Sequence, residues 1–417
     1  MSKSSNNAAR GYTIVELMVV MLIFSVVMTL ISMSFSRMVR GSGQLIKSAE
    51  TDIGGLIGLE VMRRDIELGG LGLFWNIPSD AKGSTSYFSY TEAPDHLKFV
   101  YNCLDGCPQA KPSLFNDSTY DDDRYIPRAY RVGNNVAYNG SDYLVLKATA
   151  LGTNKVSRAW GYLNYTTTVV IPPRDAESQP FQDKDRVIAL KSGMAGGRGV
   201  RELVFKQPGE AGFSVSYVKP FPADFSPKDP GDNFLVYGVD KPEKDDTLPL
   251  RFPFNRADYY ISRPDEMSPN CASGTGVLYK AVITHGNPDP PHLPRETVPI
   301  LDCVADMQVV LPVDTNGDGE IDYHLDLEEL DALKTRDQLK EIRVYILAQQ
   351  GRRDDSYSYP VADPERAVIV GDKDLMKNPE DAYGSIWSSN KMAATFGRNW
   401  RNYRWRLYTI VVQPKNL

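Results

Sequence analysis

The stretch "GYTIVELMVV" at residues 11–20 decides how the rest of the chain is read. It opens a run from Ile14 to Met33 that is apolar or weakly polar throughout, with Glu16 as its only charge. A helix needs about 20 such residues to cross the hydrocarbon core of a bilayer. A carboxylate inside that core costs roughly 2.5–3.5 kcal/mol on insertion scales, and less near its edge, so a charge there marks a function that supplies it with a partner.

Upstream, residues 1–10 are polar and carry Lys3 and Arg10 with no acid. A secretory signal would have a short apolar core and a small-residue cleavage site. This run is longer, and "SMSFS" at 32–36 is a poor match to such a site. A plain signal anchor keeps its positive charges on the cytoplasmic side, yet Arg37, Arg40 and Lys47 follow the span. Neither reading accounts for Glu16.

Gly11-Tyr12-Thr13-Ile14-Val15-Glu16-Leu17 closely resembles the processing site of type IV prepilins: a short basic leader, a glycine, an aromatic residue, and a glutamate five residues after the glycine. The resemblance implies that residues 1–11 are a leader. It implies that prepilin peptidase cuts after Gly11 on the cytoplasmic side and methylates Tyr12. Tyrosine stands where that family more often has phenylalanine. Glu16 then becomes the fifth mature residue, whose carboxylate in pilin filaments is thought to meet the amino terminus of a neighbouring subunit. Two opposite charges in a low-dielectric place are costly alone and tolerable together.

Past the membrane, Leu45, Ile46, Ile53, Leu56, Ile57, Leu59, Val61, Met62, Ile66 and Leu68 recur at a spacing of three to four. That period predicts an amphipathic helix, with "GSG" at 41–43 as a kink point and "GGLG" at 69–72 as its stop. A helix over 12–72, in the membrane at about 14–33, resembles the shared spine of pilins.

From residue 73 to 417 the signals are short apolar runs between turn residues. Strands are expected at 96–101, 142–148, 166–171, 185–190, 202–206, 213–218, 233–239, 258–262, 276–283, 306–313, 341–349 and 404–413. The fold class is therefore α+β, a long N-terminal helix followed by a large antiparallel β-rich head. The proline- and charge-rich stretch 219–249 either divides the head into two lobes or forms one long surface excursion.

The net charge of −6 argues against a nucleic-acid partner, which calls for a clustered basic excess. His96, His285, His292 and His324 have no metal-ligand spacing, and there is no G-x-S-x-G, Walker loop or H-E-x-x-H. "GMAGGRG" at 193–199 lacks phosphate-loop spacing and reads as a turn. No enzymatic activity is expected.

Four cysteines, Cys103, Cys107, Cys271 and Cys303, lie beyond the membrane run. An even count in an exported protein favours disulfides. Three connectivities are open, and Cys103–Cys107 with Cys271–Cys303 is favoured over a four-cysteine zinc site, whose spacing this is not. "DTNGDGEID" at 314–322 places Asp314, Asn316, Asp318 and Asp322 at positions one, three, five and nine of a calcium-type loop, with the Glu320 carbonyl at seven. Position twelve is Leu325, so calcium is expected to bind weakly, at about 10⁻⁴–10⁻³ M. The alternative is a solvated Asp/Asn/Gly turn.

"RRDIELGGLG" (63–72) and, in the distal half, "ADYYIS", "GVLYKAVI", "LDCVADMQVVLPVDTNGDGEIDYHLD", "EIRVYILAQQ" and "NYRWRLYTIVVQ" occur in an order that resembles PilW-type minor pilins. That resemblance implies a subunit that primes type IV pilus assembly and stays at or near the tip. Its helix would contact other minor pilins and the major pilin, and a tip adhesin is a further partner. It would sit in the inner membrane with its head in the periplasm, and then in the pilus on the cell surface. A type II secretion pseudopilin is the close alternative. A signal-anchored calcium-binding surface adhesin is the more distant one.

Overall fold

The computed structural model describes residues 14–77, 90–97, 111–117, 126–170, 180–195, 198–206, 212–242, 250–286, 295–325, 330–373 and 383–417. The chain forms two compact units, Met1–Ile53 and Gly54–Leu417. Helix α1 (Ile14–Leu68) supplies the described part of the first unit and opens the second. The "GSG" at 41–43 is helical. The helix stops at "GGLG", where Gly70 and Gly72 take φ of +85° and +69°, a conformation glycine adopts without steric cost.

The strands follow in chain order as β1 (Tyr130–Gly133), β2 (Tyr143–Ala148), β3 (Trp160–Leu163), β4 (Val169–Val170), β5 (Arg186–Ala195), β6 (Arg198–Leu203), β7 (Val215–Ser216) and β8 (Asn233–Asp240). Next come β9 (Asn255–Ser262), β10 (Gly276–Ile283), β11 (Arg295–Val313), β12 (Tyr323–Leu325), α2 (Ala332–Gln338) and β13 (Ile342–Gln350). The chain closes with β14 (Val368–Gly371), β15 (Gly384–Trp387), α3 (Ser389–Phe396) and β16 (Arg404–Val412). An antiparallel sheet runs β1-β2-β9-β10-β11-β13-β16, with β12 on β11. A second runs β4-β3-β8-β5-β6, with β7 on β5. The head is thus a helix followed by antiparallel sheets, as the α+β expectation has it.

The second sheet is inserted between two neighbours of the first, for β2 pairs with β9 and Ala148 lies opposite Asn255. The stretch 219–249 contains β8, the middle strand of the inserted sheet. The candidate strand at 96–101 lies largely outside the described residues.

Alternation along the strands gives the main sheet two covered faces. On one, Leu144, Leu146, Ala257, Tyr259, Ile261, Val344 and Ile346 join a core with Leu59, Met62 and Ile66 of α1 and with Ile188, Leu190 and Val239 of the inserted sheet. The helix comes close because two glycines face β11. A Cβ on Gly58 would sit 2.1 Å from the Ile300 carbonyl oxygen, and one on Gly55 would be 2.8 Å from Leu301 Cδ1. The helix terminus leaves carbonyls without intrahelical donors. Tyr130 Oη donates to the Ile66 carbonyl at 2.8 Å, and Asn416 Nδ2 to that of Glu67 at 2.9 Å. Asp65, buried on the same face, accepts from Tyr259 Oη at 2.6 Å and pairs with Lys280.

The opposite face is divided. Over β11, β13 and β16 it carries an apolar cluster of Trp387, Met392, Phe396, Trp400 and Trp405. Over β2 and β9 it carries charges instead. Lys147, Arg256 and Asp258 point from the strands to meet Glu92, Asn116, Asp117 and Arg128, all of them buried. Arg256 binds Asp258 through Nε at 2.7 Å and Nη2 at 2.9 Å, and reaches Glu92 at 3.1 Å and Asn116 at 2.7 Å through Nη1. The segments 90–97 and 111–117 thereby close this half of the sheet with ion pairs in place of apolar contacts.

Cys303 lies where β11 bulges, with φ of +54° and a register shift between Gly276 and Leu278 opposite it. A disulfide joins Cys303 to Cys271, their Cα atoms 5.1 Å apart. A bulge adds a residue to one strand and bends it. β11 accordingly pairs with β10 along its length up to Val304 and with β13 from Val304 to Val310.

The α1 contact gives a direct expectation. Met62→Ala removes a fully buried side chain and should destabilise the protein by about 2–5 kcal/mol. Leu56→Ala, 53% exposed on the other side of the same helix, should stay within about 0.5 kcal/mol. Urea unfolding of both variants in detergent measures the difference, and equal losses would show that α1 does not belong to the core.

Candidate functional site

Every residue from Ile14 to Met33 is exposed. This 20-residue window has a mean hydropathy of 2.7 and buries nothing within the molecule. A core helix of the same composition would hide that surface, so its apolar side chains are available to lipid or to other helices. Two of its hydroxyls are satisfied within the helix, as a membrane favours. Ser25 Oγ donates to the Leu22 carbonyl and Thr29 Oγ1 to that of Ser25, each at 2.8 Å. Glu16 lies in the first turn of α1, where the positive end of the helix dipole favours an anion. Gly11 and Tyr12 lie outside the described residues.

The loop 314–322 leaves the end of β11 and returns at β12. Gly317 and Gly319 have φ of +81° and +96°, and the turn is built on side-chain oxygens. Asp314 Oδ1 accepts from Gly317 N–H at 2.6 Å and Oδ2 from Gly319 N–H at 2.9 Å. Asp322 Oδ2 accepts from the Thr315 N–H and Oγ1, each at 2.7 Å, and Asp322 Oδ1 from Asn316 Nδ2 at 3.1 Å. Asp318 Oδ1 accepts from Glu320 N–H at 2.8 Å, and Asn316 Oδ1 from Asp318 N–H at the same distance. Lys340 Nζ lies 2.9 Å from Asp314 Oδ2.

The sequence register therefore brings Asp314, Asn316, Asp318 and Asp322 into one loop. Among the described residues, however, no three His, Cys, Asp or Glu side chains converge as a metal site does. The oxygens face the loop's own amides. The Asp314 carboxylate has no solvent access, yet it is covered by the turn itself and few other atoms surround it. The hydrogen bond from Lys340 and those from Gly317 and Gly319 hold its pKa down to about 2.

Of the four cysteines, Cys271 and Cys303 are joined, and Cys103 and Cys107 lie outside the described residues. The buried ion cluster of Glu92, Asp117, Lys147 and Arg256 went unread in the sequence. Its one signal was Lys147 in "DYLVLKA" and Arg256 and Asp258 in "NRADYYIS", charges at alternate positions of otherwise apolar strands.

Residues 6–32 match the family model of the prokaryotic N-terminal methylation motif. No curated protein and no solved structure matches the chain. The match spans residues 6–13 and the apolar run to Ser32, and leaves the head outside it. It supports a type IV pilin-like or pseudopilin-like protein, handled by prepilin peptidase and engaged in pilin–pilin contacts. The exposed apolar helix within the motif is consistent with a membrane-anchored subunit.

The Asp314 geometry sets a pH dependence. A carboxylate whose folded pKa lies below its ordinary value of 3.8 stabilises the fold above that value and loses its contribution as pH falls towards about 2. Asp314→Asn should therefore be less stable than wild type at neutral pH, with the gap closing between about pH 4 and pH 2. Denaturant midpoints across that range give the measurement, and a gap independent of pH would remove the ionised Asp314 from the account.

Proposed function

We propose that this protein is a PilW-like minor pilin that primes type IV pilus assembly and remains at or near the filament tip. One observation carries the proposal: Glu16 stands in the first turn of a wholly exposed apolar helix inside the methylation-motif match. A carboxylate in lipid has a use once a cation meets it, and the methylated amino terminus of a neighbouring subunit is that cation. The order of distal motifs favours the PilW-like subunit over the type II secretion pseudopilin.

In this reading the protein assembles and contacts and does not catalyse. Its head folds in the periplasm before reaching the cell surface, and a tip adhesin is a further partner. The test is mass spectrometry of the mature amino terminus together with filament incorporation. Wild type should begin at methylated Tyr12. Glu16→Ala should be processed and inserted normally but enter filaments poorly. An intact, unmethylated terminus would point to the signal-anchored adhesin, and loss of secreted enzymes with normal pili on gene deletion would point to the pseudopilin.

Calcium at 314–322 belongs to the same proposal, supported by the register of Asp314, Asn316, Asp318 and Asp322. Binding would require these oxygens to turn from the amides toward an ion, with Lys340 leaving Asp314. An ion that binds only the folded state raises the melting temperature, and magnesium should do so less because of its tighter octahedral geometry. Thermal melts in millimolar calcium and in chelator should differ for wild type and coincide for Asp314→Ala/Asp318→Ala. Identical wild-type melts would leave the loop a hydrogen-bonded turn.

A further inference from the structure

Alternation along β2 puts Lys147 on the same face as Tyr143 and Val145, under the segments 90–97 and 111–117. Lys147, Glu92 and Asp117 are 0%, 1% and 3% exposed. Lys147 Nζ lies 2.5 Å from Asp117 Oδ2 and 2.8 Å from Glu92 Oε2. Glu92 is fixed against Asp117 by the Asp117 N–H, which donates to its Oε1 at 2.7 Å. The other Asp117 oxygen, Oδ1, accepts from Arg128 Nε at 2.7 Å. The Phe254 ring lies 5.5 Å from Nζ. An amine, a carboxyl carbon, a second carboxylate able to carry protons and a donor for developing negative charge thus meet in one dry place. Pilus assembly through the helix uses none of them.

We propose that Lys147 and Asp117 condense into an intramolecular isopeptide bond, with Glu92 carrying the protons. One proton of the Lys147 ammonium passes through Glu92 to Asp117 Oδ2, leaving a neutral amine beside a carboxylic acid. The Nζ lone pair attacks Cγ and forms the N–C bond, while negative charge gathers on Oδ1 against the Arg128 Nε–H. A second proton leaves Nζ and passes through Glu92 to Oδ2. The C–Oδ2 bond breaks, the oxygen departs as water, and the third proton stays on the amide nitrogen. One ammonium and one carboxylate disappear together, so the net charge of the cluster is unchanged and no oxidant or co-reactant is needed.

Two physical terms favour the step. An ion pair out of water carries a desolvation cost that its mutual attraction only partly offsets, and condensation removes it. Well-oriented intramolecular groups react with effective molarities of about 10⁵–10⁸ M. Burial lowers the pKa of Lys147 and so favours the neutral amine. For Asp117, burial pushes the pKa up, and Lys147 followed by Arg128 brings it below the usual carboxylate range. The first of those cations is the one that gives up its proton. Arg256 keeps Glu92 paired throughout. The product ties residues 111–117 to β2 through a bond that pulling on the chain does not open.

The test is the intact mass of the full-length mature protein, denatured and with its disulfides reduced, after allowing for the measured amino terminus. The expected result is a deficit of one water, with trypsin leaving Lys147 uncut in a branched peptide joined to Asp117. Glu92→Gln should keep the circular-dichroism spectrum of the fold and show the full mass. A wild-type protein at its full mass, or a deficit without the Lys147–Asp117 branch, overturns the bond. A Glu92→Gln protein that still lacks one water overturns the role given to Glu92.

Discussion

Asp65 is the constraint to which much of the head answers. Helix α1 continues past its exposed apolar run and ends inside the core of the head, with a carboxylate on its inner face and open carbonyls at its terminus. A buried carboxylate without a partner costs several kcal/mol. Tyr259 of β9, Lys280 of β10, Tyr130 of β1 and Asn416 near the end of the chain answer these groups. Four distant points in the sequence are therefore bound to one turn of helix. The glycines at 55 and 58 serve the same end by letting the helix lie against β11.

The main sheet is covered on its far side by two different kinds of matter. Around Trp387 and Phe396, with ring centroids 5.2 Å apart, stability comes from area removed from water. Around Arg256 it comes from matched charge, which stabilises little in net terms but is severely costly to break on one side. The apolar half tolerates substitutions that keep volume. The charged half has less latitude at its ends, since removing Asp117 takes away the carboxylate that Arg128 binds and removing Arg256 takes away the cation that Asp258 binds. Lys147 and Glu92, by contrast, each have two partners of opposite charge.

The legible part of the fold follows from the same physics. β2, β8, β10, β13 and β16 were visible because their apolar runs are long and bounded by turn residues. So was α1, through its period of three to four. β1 and β3 were missed because Arg131 and Gly161 interrupt four-residue runs, and their strand form is imposed by β2 and β8. β14 and β15 pair only with each other and owe their burial to Trp387, which propensity does not reveal. The candidate residue Glu16 was readable because it is the one charge in the run Ile14–Met33. The ion cluster was not, since Glu92 and Asp117 sit in irregular segments and meet Lys147 only after the chain has folded.

The insertion of the second sheet also sets the order in which the head can fold. β9, β10, β11 and β13 pair in chain order along the main sheet, and β16 then pairs with β13 across the segment that holds β14, β15 and α3. The β2–β9 pairing is different: Ala148 and Asn255 are opposite each other although the whole inserted sheet lies between them. Closing a long loop costs entropy that grows only slowly with its length, but the search for non-local pairs slows folding. If the inserted sheet forms first, the loop is replaced by a compact body whose two ends already lie near each other. On that order β1 and β2, the strands nearest in sequence to α1, join the sheet last, and the meander β9-β10-β11-β13 can form before them.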